Sequence, residues 1–320
     1  MPLVDLPLEK LLEYPGRNPR PADFDDYWRR AIAELDTCDP SPRFEPVNAP
    51  FPSALAQDVW FDGVGGAIIH AKFMRPRWTD QPVPCIVFFH GYHWKSPDWF
   101  TLAAWSAAGY AVLAPDVRGQ GGLSTDPLSV DGNTVSGHIV RGLTDHPDKL
   151  FYRGAFLDTV QTARVAASIE GIDPSRIFAH GASQGGGLTV ACAALAPELI
   201  RACVPVYPFL SDYLRVWEMD LAKDAYNEIK QFFKIQDPLH KRKDEVFERL
   251  GYIDVQHLAS RIKCPSLWAV GLMDAICPPS TQFAAYNKVV APKETLIYPD
   301  YGHDGLPELS EHVIRFFNSI

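Results

Sequence analysis

The sequence has few of the features that mark metal sites, disulfide frameworks or membrane spans. It contains 6 cysteines in 320 residues, and no two of them form a C-x-x-C pair, so their spacing does not indicate a zinc site. Several lie inside apolar stretches, which predicts reduced, buried thiols that pack as small hydrophobes in a cytoplasmic protein; a disulfide is the alternative. The cysteines are Cys38, Cys85, Cys192, Cys203, Cys264 and Cys277.

Long apolar runs and basic clusters are also missing. The densest apolar stretch, "LTVACAALA" at residues 188–196, is far shorter than the roughly 18 residues of a membrane span, and a buried helix explains it. The N-terminal stretch mixes acids and prolines with its apolar residues, so no signal peptide is predicted. The 39 acidic residues outnumber the 30 basic ones and there is no run of basic residues, so the sequence does not indicate a basic surface that would bind a polyanion. We therefore expect a soluble protein that binds neither nucleic acid nor a membrane.

What the sequence does contain is a regular alternation of elements. From Pro84 onward, short apolar runs such as "CIVFFH" alternate with helix-like stretches. Continuous apolar runs suit strands buried on both faces, so the alternation predicts an α/β fold with a mostly parallel central sheet and helices on both faces. Before it, two β-rich runs flank the glycine-rich residues 63–66, which predicts an antiparallel hairpin at the N-terminal edge of the sheet.

We predict one domain over residues 1–320, with an N-terminal helical extension at 1–50 and a helical insertion at 209–262. In the extension, "PADFDDYWRRAIAEL" has the spacing of an amphipathic helix. The insertion contains no buried-strand run and is dense in charged and aromatic residues. We expect it to lie over one end of the sheet, where it roofs an active site or contacts another subunit, with its charges on a solvated face.

The stretch "AHGASQGGG" contains the pattern G-x-S-x-G around Ser183. Chance supplies such a match on the order of 0.1 times in a chain of this length, so the pattern alone decides little. A buried strand precedes Ser183 and a helix follows it, however, and strand, sharp turn and helix are the context of a nucleophile elbow in the α/β-hydrolase fold. Gly181 and Gly185 would permit the close approach of strand and helix. The backbone N–H of Gln184 would then be one oxyanion donor.

A serine nucleophile needs a histidine base and a carboxylate, in the chain order Ser, Asp, His for this fold. Asp274 follows the apolar run of one late strand, and His303 lies in the loop after the next strand. Both positions are at carboxyl ends of strands, where open parallel sheets place their sites. The alternatives are His90 and His180, each explained by packing near a strand end, and for the carboxylate Asp300 and Asp304, which are too near His303 in sequence to orient it.

The second oxyanion donor is expected in the loop after an early strand. The run "IVFFHGYHW" ends its strand at His90 and Gly91, which leaves the backbone N–H of Tyr92 toward the site. Gly91 permits the required turn. A simple glycine turn at a strand end is the alternative interpretation.

With these residues placed, the sequence resembles the acetyl xylan esterases and cephalosporin-C deacetylases of carbohydrate esterase family seven. The similarity covers nearly the whole chain, and the combination of Arg-Gly-Gln with Ser-Gln-Gly is far more specific than G-x-S-x-G alone. The matching signatures are "HGY" at 90–92, "RGQG" at 118–121, "GASQGGG" at 181–187, "VGLMDAICPPSTQFAAYN" at 270–287 and "YPDYGH" at 298–303.

The resemblance implies Ser183 as nucleophile, His303 as base and Asp274 as its orienting carboxylate, with Tyr92 and Gln184 as backbone oxyanion donors. It implies hydrolysis of small acetyl esters on carbohydrates and on the cephalosporin nucleus, without a cofactor or a metal, by a cytoplasmic homohexamer. Within the family motif of Arg118, Gly119 and Gln120, the arginine is expected to be a structural anchor that pairs with nearby carboxylates or carbonyls.

The chain departs from the family pattern at two places. Where the family has a glycine-rich stretch, this chain has "HWKSPDWF" after Tyr92, so Trp94 and Tyr92 are candidates for substrate contact in an altered loop at residues 92–100. Asp304 replaces the usual glutamate after His303, which we expect to have a small effect.

The alternatives in function are a peptidase or general carboxylesterase on the same fold, and a ligand-binding protein that has lost its chemistry.

Overall fold

The structure is a computed structural model that describes residues 4–131, 137–219 and 224–320. Within these residues a single sheet contains nine strands. The strands are β1 (Arg43–Pro46), β2 (Ala54–Asp62), β3 (Ile68–Pro76), β4 (Val83–Phe89), β5 (Ala111–Pro115), β6 (Ile172–Ala182), β7 (Ile200–Val206), β8 (Ser266–Gly271) and β9 (Lys293–Tyr298).

The α-helices of the described residues follow the alternation seen in the sequence. They are α1 (Leu8–Leu11), α2 (Phe24–Leu35), α3 (Trp99–Ala107), α4 (Phe151–Ser168), α5 (Gln184–Leu195), α6 (Tyr213–Glu218), α7 (Asn227–Gln236), α8 (Lys243–Gly251), α9 (Val255–Leu258), α10 (Pro279–Tyr286) and α11 (Leu309–Asn318). No helix among the described residues is long and apolar enough to cross a membrane.

The strand order across the sheet is β1-β2-β3-β5-β4-β6-β7-β8-β9. The N-terminal strands pair antiparallel, including β3 with β5, whereas every pair from β5 to β9 is parallel. The predicted mostly parallel sheet with an N-terminal antiparallel hairpin is thus confirmed. The parallel pairing brings the carboxyl ends of β4, β6, β7 and β8 to one edge of the sheet.

Helices cover both faces of the sheet because its central strands are apolar on both sides. Along β4, the side chains alternate between two cores: Cys85 and Val87 pack in the core that includes α4 and α5, and Ile86 packs in the core that includes α3 and α11. This period of two is the geometry of a strand buried on both faces. Five of the six cysteines are buried and all are free thiols.

The region predicted as an insertion lies between β7 and β8 and carries α6 to α9; its residues 220–223 lie outside the described residues. The N-terminal segment packs against it: the Tyr14 hydroxyl donates to Asp212 Oδ2 at 2.9 Å, and the Trp28 indole N–H donates to the Tyr252 carbonyl at 3.0 Å. The domain boundaries stay a prediction.

Candidate active site

Ser183 lies in the turn between β6 and α5 with φ 58° and ψ −120°. Left-handed backbone of this kind costs a non-glycine residue about 1–3 kcal/mol, so the surrounding structure must hold it. Two hydrogen bonds do so: the Ser183 N–H donates to the Val206 carbonyl at 3.0 Å, and the Phe209 N–H donates to the Ser183 carbonyl at 2.9 Å. The end of β7 therefore fixes the elbow on which the serine is presented.

The glycines on either side of Ser183 allow the end of β4 to lie directly against the elbow. A Cβ atom at Gly181 would lie 2.6 Å from the Phe89 carbonyl oxygen, and one at Gly185 would overlap that same carbonyl group. Contacts this short are not tolerated by any side chain. The two glycines thus bring the loop that follows Phe89, with His90, Gly91 and Tyr92, next to the serine.

Asp274 and His303 meet at the carboxyl ends of β8 and β9. Their side chains are joined by a hydrogen bond of 2.8 Å between His303 Nδ1 and Asp274 Oδ2. Asp274 is fully buried, and its Oδ1 accepts the backbone N–H groups of Ile276 and Cys277, both at 2.8 Å. With one oxygen held by the backbone, the carboxylate is fixed in orientation and its second oxygen fixes the imidazole.

The alternative residues have other partners. The His90 ring is buried, with Nδ1 directed to the Gly91 carbonyl and Nε2 accepting the Val117 N–H at 2.9 Å, and His180 Nδ1 pairs with the Val204 carbonyl at 2.9 Å. Burial lowers the pKa of His180 to about 4, which keeps its ring neutral. Asp304 accepts the Gly302 N–H at 3.0 Å and is bonded to the loop rather than to the imidazole.

Cys277 lies among Ser183, Asp274 and His303. The sequence predicted only that it is buried as a small hydrophobe. Its thiol is in hydrogen-bond contact with the Ser183 side chain, and burial, followed by the charge of Asp274, raises its pKa well above the usual range. Its sulfur, an Asp274 carboxylate oxygen and a His303 ring nitrogen lie within 4.8 Å of one another. These three atoms could hold a metal ion. The Cys277 thiol is also the shared neighbour through which Ser183 is linked to the Asp274 carboxylate and the His303 imidazole. The Asp-x-x-Cys spacing is the sequence signal that could have found it.

Tyr207 is a second neighbour that the sequence did not indicate. It follows β7 with a positive φ of 29°, and its ring centroid lies 4.5 Å from that of His303. Burial and the charge of Asp274 raise its pKa to about 12, so the phenol is neutral. The ring therefore packs against one side of the imidazole.

The backbone N–H groups of Tyr92 and Gln184 find no acceptor among the described residues. The Gln184 side chain, in contrast, is hydrogen-bonded to the loop that carries Gln120 and to α4. Its Oε1 accepts from Gln120 Nε2 at 2.7 Å and from the Tyr152 hydroxyl at 2.8 Å. Gln120 Oε1 in turn accepts the His93 N–H at 3.1 Å. Gln184 follows Ser183 and begins the 12-residue helix α5, whose positive end favours an anion at this point.

The side chain of Tyr92 is held at its hydroxyl end. The hydroxyl donates a hydrogen bond to the carboxylate of Glu228 and accepts the His138 N–H at 2.8 Å. Glu228 is buried, which raises its pKa to about 7 although its hydrogen bonds lower it. The sequence predicted that charges in the 209–262 region lie on a solvated face; for Glu228 this is wrong, because the carboxylate packs against a loop that is distant in sequence.

Arg118 forms a bidentate ion pair with Asp158 on α4. Its Nε and Nη2 atoms each lie 2.6 Å from a carboxylate oxygen, and both side chains are buried. The pair anchors the loop that carries Gly119 and Gln120 to α4. This geometry fits a structural anchor: in the described part of the chain, the Arg118 guanidinium bonds to Asp158 and to the Val64 carbonyl.

The loop at residues 92–100 is fixed to the sheet at two points. The Ser96 N–H donates to Asp116 Oδ1 at 2.7 Å, and Lys72 Nζ donates to the Pro97 carbonyl at 2.8 Å. Between these points and the elbow lies a groove of about 340 Å³ that reaches Gly91, Trp94 and Ala182. Trp94 is 67% exposed and offers an aromatic face at the rim of this groove.

The family model described as acetyl xylan esterase (AXE1) matches residues 1–320. Among curated proteins, the acetyl esterase Axe7A of Xylanibacter ruminicola is 29% identical over 199 residues, which are 61% of this chain. The chain spans 43% of the length of that relative.

Two solved structures are similar over almost their entire length. Acetyl xylan esterase 1 from a Thermoanaerobacterium species is 48% identical with a TM-score of 0.96, covering 98% of this chain and 99% of that one. The acetyl xylan esterase of a Paenibacillus species is 37% identical with a TM-score of 0.94, at the same coverage. The acylaminoacyl peptidase of Pyrococcus horikoshii, 16% identical with a TM-score of 0.55 over 86% of this chain and 40% of its own, shares the fold alone.

Proposed function

The chain belongs to the acetyl xylan esterase family, and from this premise we propose that it removes acetyl groups from acetylated xylo-oligosaccharides by acyl transfer through Ser183. The observation that carries the proposal is the 2.8 Å hydrogen bond between His303 Nδ1 and the fully buried Asp274, beside a serine held at positive φ. A serine hydroxyl is a poor nucleophile, so its activation by an oriented imidazole is what the reaction requires.

In the first step His303 takes the proton of the Ser183 hydroxyl, and the oxygen attacks the acetyl carbonyl carbon. The negative charge that develops on the carbonyl oxygen is stabilised by the N–H groups of Tyr92 and Gln184. His303 then gives its proton to the departing sugar oxygen, and the C–O bond of the ester breaks. Water repeats the sequence on the acetyl-serine, which releases acetate and restores the hydroxyl. Asp274 keeps Nδ1 protonated and stabilises the imidazolium that forms in each step.

The contacts of Tyr92 and Trp94 bear on which of the two faces the substrate. Because Glu228 engages the Tyr92 hydroxyl, we assign to Tyr92 the backbone donor and the ring but no hydrogen bond to the sugar. The exposed ring of Trp94 at the rim of the groove is assigned to the carbohydrate, since aromatic rings bury large apolar areas with little loss of conformational freedom. Replacement of Trp94 by Ala should raise KM for acetylated xylo-oligosaccharides more than KM for 4-nitrophenyl acetate.

The test is acetate release from acetylated xylo-oligosaccharides, other acetylated sugars and cephalosporin C. Removal of a triad serine typically lowers kcat by about 10⁶-fold, so Ser183→Ala should abolish release while its unfolding transition is unchanged. Ser53→Ala, at an exposed position, is the matched control and should keep full activity. Ser183→Ala activity above about 1% of wild type would overturn the assignment.

The acyl and leaving-group preference separates the alternatives. Strong preference for acetyl over butyryl esters supports deacetylation, hydrolysis of peptidyl amides supports a peptidase, and failure of a fluorophosphonate to label the chain supports a ligand-binding protein. The family resemblance also extends the proposal to cephalosporin C and to a cytoplasmic homohexamer. Sedimentation velocity tests the assembly, and a monomer at working concentration would contradict it.

A further inference from the structure

Glu228, on α7 between β7 and β8, is a buried carboxylate that the proposed acyl transfer does not use. Only 5% of its surface is exposed. Burial of a charged group is strongly unfavourable unless hydrogen bonds replace its lost water. The carboxylate is provided with such donors, since Oε1 accepts from the Tyr92 hydroxyl and Oε2 accepts the Val140 N–H at 3.0 Å.

The chain around Val140 is shaped to receive this carboxylate. Gly137 has a φ of +112°, and a Cβ atom there would overlap the carboxylate group of Glu228. The N–H groups of His138 and Ile139 also interact favourably with it. A glycine with left-handed backbone is therefore required at the point where the loop at 137–140 closes around Glu228.

The same carboxylate determines where Tyr92 lies. The Tyr92 hydroxyl is bonded to Glu228 and to the His138 N–H, and its ring packs against Phe209 at a centroid distance of 5.2 Å. The side chain is thus held at its far end by two hydrogen bonds and along its ring by the contact with Phe209. Its near end carries the backbone N–H proposed to stabilise the oxyanion.

We infer that Glu228 is a positioning residue for the oxyanion site: by holding the Tyr92 hydroxyl against the loop at 137–140, it fixes the Tyr92 N–H in the geometry that the transition state requires. The inference rests on the proposed function of Ser183 and adds to it a role for the 209–262 region, which supplies a support for catalysis from outside the sheet. Preorganised donors are effective because they need no rearrangement when charge develops.

The test compares Glu228→Gln with Glu248→Gln, which removes the same charge from an exposed position on the neighbouring helix α8. The glutamine oxygen can accept from Tyr92 or from Val140, but its NH₂ group opposes the other donor. Because loss of an oxyanion donor lowers kcat by about 10²–10³-fold, partial misplacement should lower it by about 10–100-fold with KM within about twofold. Inhibition by phenylboronic acid, whose tetrahedral serine adduct places an oxygen in the oxyanion site, should weaken by a similar factor.

Tyr92→Phe keeps the ring and the backbone N–H but removes the hydroxyl, so it should lower kcat in the same way. If Glu228 acts through Tyr92, the double variant should be no worse than the poorer single variant. The thermal unfolding midpoint shows whether the variants are folded. If Glu228→Gln does not fold, the kcat of Tyr92→Phe tests the inference by itself. A kcat equal to that of the wild type in this variant would overturn the inference.

Three further results would overturn it: equal kcat for Glu228→Gln and Glu248→Gln, a raised KM with unchanged kcat, or additive losses in the double variant. None of these outcomes bears on Ser183, whose variant tests the proposed function independently. An inactive wild-type chain, or an active Ser183→Ala variant, would instead refute the proposed function itself.

Discussion

Gly185 lies where the first turn of α5 passes closest to the end of β4, so replacing it by alanine tests how the elbow is built. The added Cβ atom would overlap the Phe89 carbonyl group and lie 3.3 Å from the His90 carbonyl oxygen. Both neighbours are backbone atoms and cannot turn aside as a flexible side chain could. The strand end and the helix must therefore separate, and the loop that carries Tyr92 moves with the strand.

The size of the effect follows from the overlap. Removing it requires a shift of about 1 Å, and a misplacement of 1 Å in a catalytic site can lower activity by about 10²-fold. Overpacking of this kind destabilises a core by about 1–3 kcal/mol, which corresponds to a fall in Tm of roughly 2–6 °C in a chain of this size. We expect Gly185→Ala to lose stability and kcat/KM together.

The assay is hydrolysis of 4-nitrophenyl acetate together with thermal unfolding followed by circular dichroism. Gly305→Ala is the matched control, because a Cβ atom there meets no atom within 4 Å although the residue lies close to His303 in sequence. The control should keep wild-type kcat/KM and Tm. If Gly185→Ala also keeps both, the argument that the glycine sets the distance between Ser183 and the loop that carries Tyr92 is refuted.

Three further predictions concern the carboxylate of Asp274, the buried histidine His70 and the ion-paired Arg118. Asp274→Asn should lower kcat for acetate release by about 10⁴-fold, because an amide in this place favours the wrong tautomer of His303 and cannot stabilise its imidazolium, whereas Asp304→Asn should stay within about threefold; equal losses would contradict the assignment. His70 is bonded to Asp116 at 2.7 Å and to Asp58 at 2.9 Å; burial alone would lower its pKa, but these bonds raise it above 6.5. Because the pKa of folded His70 is raised, the stabilisation that its protonation gives is complete below pH 6.5 and is lost as pH rises through the folded-state pKa. In urea unfolding, the free energy of unfolding of the wild type should therefore fall over this pH range, and that of His70→Gln should not. A parallel fall in both proteins would contradict this prediction. Arg118→Met should lower unfolding free energy by about 3–5 kcal/mol because Asp158 is left buried and unpaired, with kcat of the folded enzyme within about threefold; a large selective loss of kcat would show a direct role.

The sequence predicted the fold class well because buried strands leave a strong local pattern. Apolar runs such as that of β4, and the elbow sequence around Ser183, depend on which residues follow one another. The order of strands, with β5 placed between β3 and β4, depends on pairing between distant segments and carries no local signal. The position of His303 relative to Asp274 was predictable because both follow strands that are parallel neighbours.

The supporting residues of the site were not predictable in the same way. Glu228 belongs to a charged stretch typical of a solvated face, and only the fold brings it to Tyr92, 136 positions earlier in the chain. Tyr207 and Cys277 carry no local signal of their position, because their contacts with His303 and Ser183 join separate strand ends. Tertiary contacts of this kind decide the environment of a site but leave no periodicity in the sequence.

The central claim is that acyl transfer passes through Ser183. The most direct measurement is peptide mass spectrometry after partial inactivation by a fluorophosphonate, with residual esterase activity measured on the same samples. The account predicts one label per chain, on the peptide that contains Ser183, in proportion to the activity lost, and no label in Ser183→Ala. Activity lost without modification of Ser183, or with the label on the neighbouring Cys277, would contradict it.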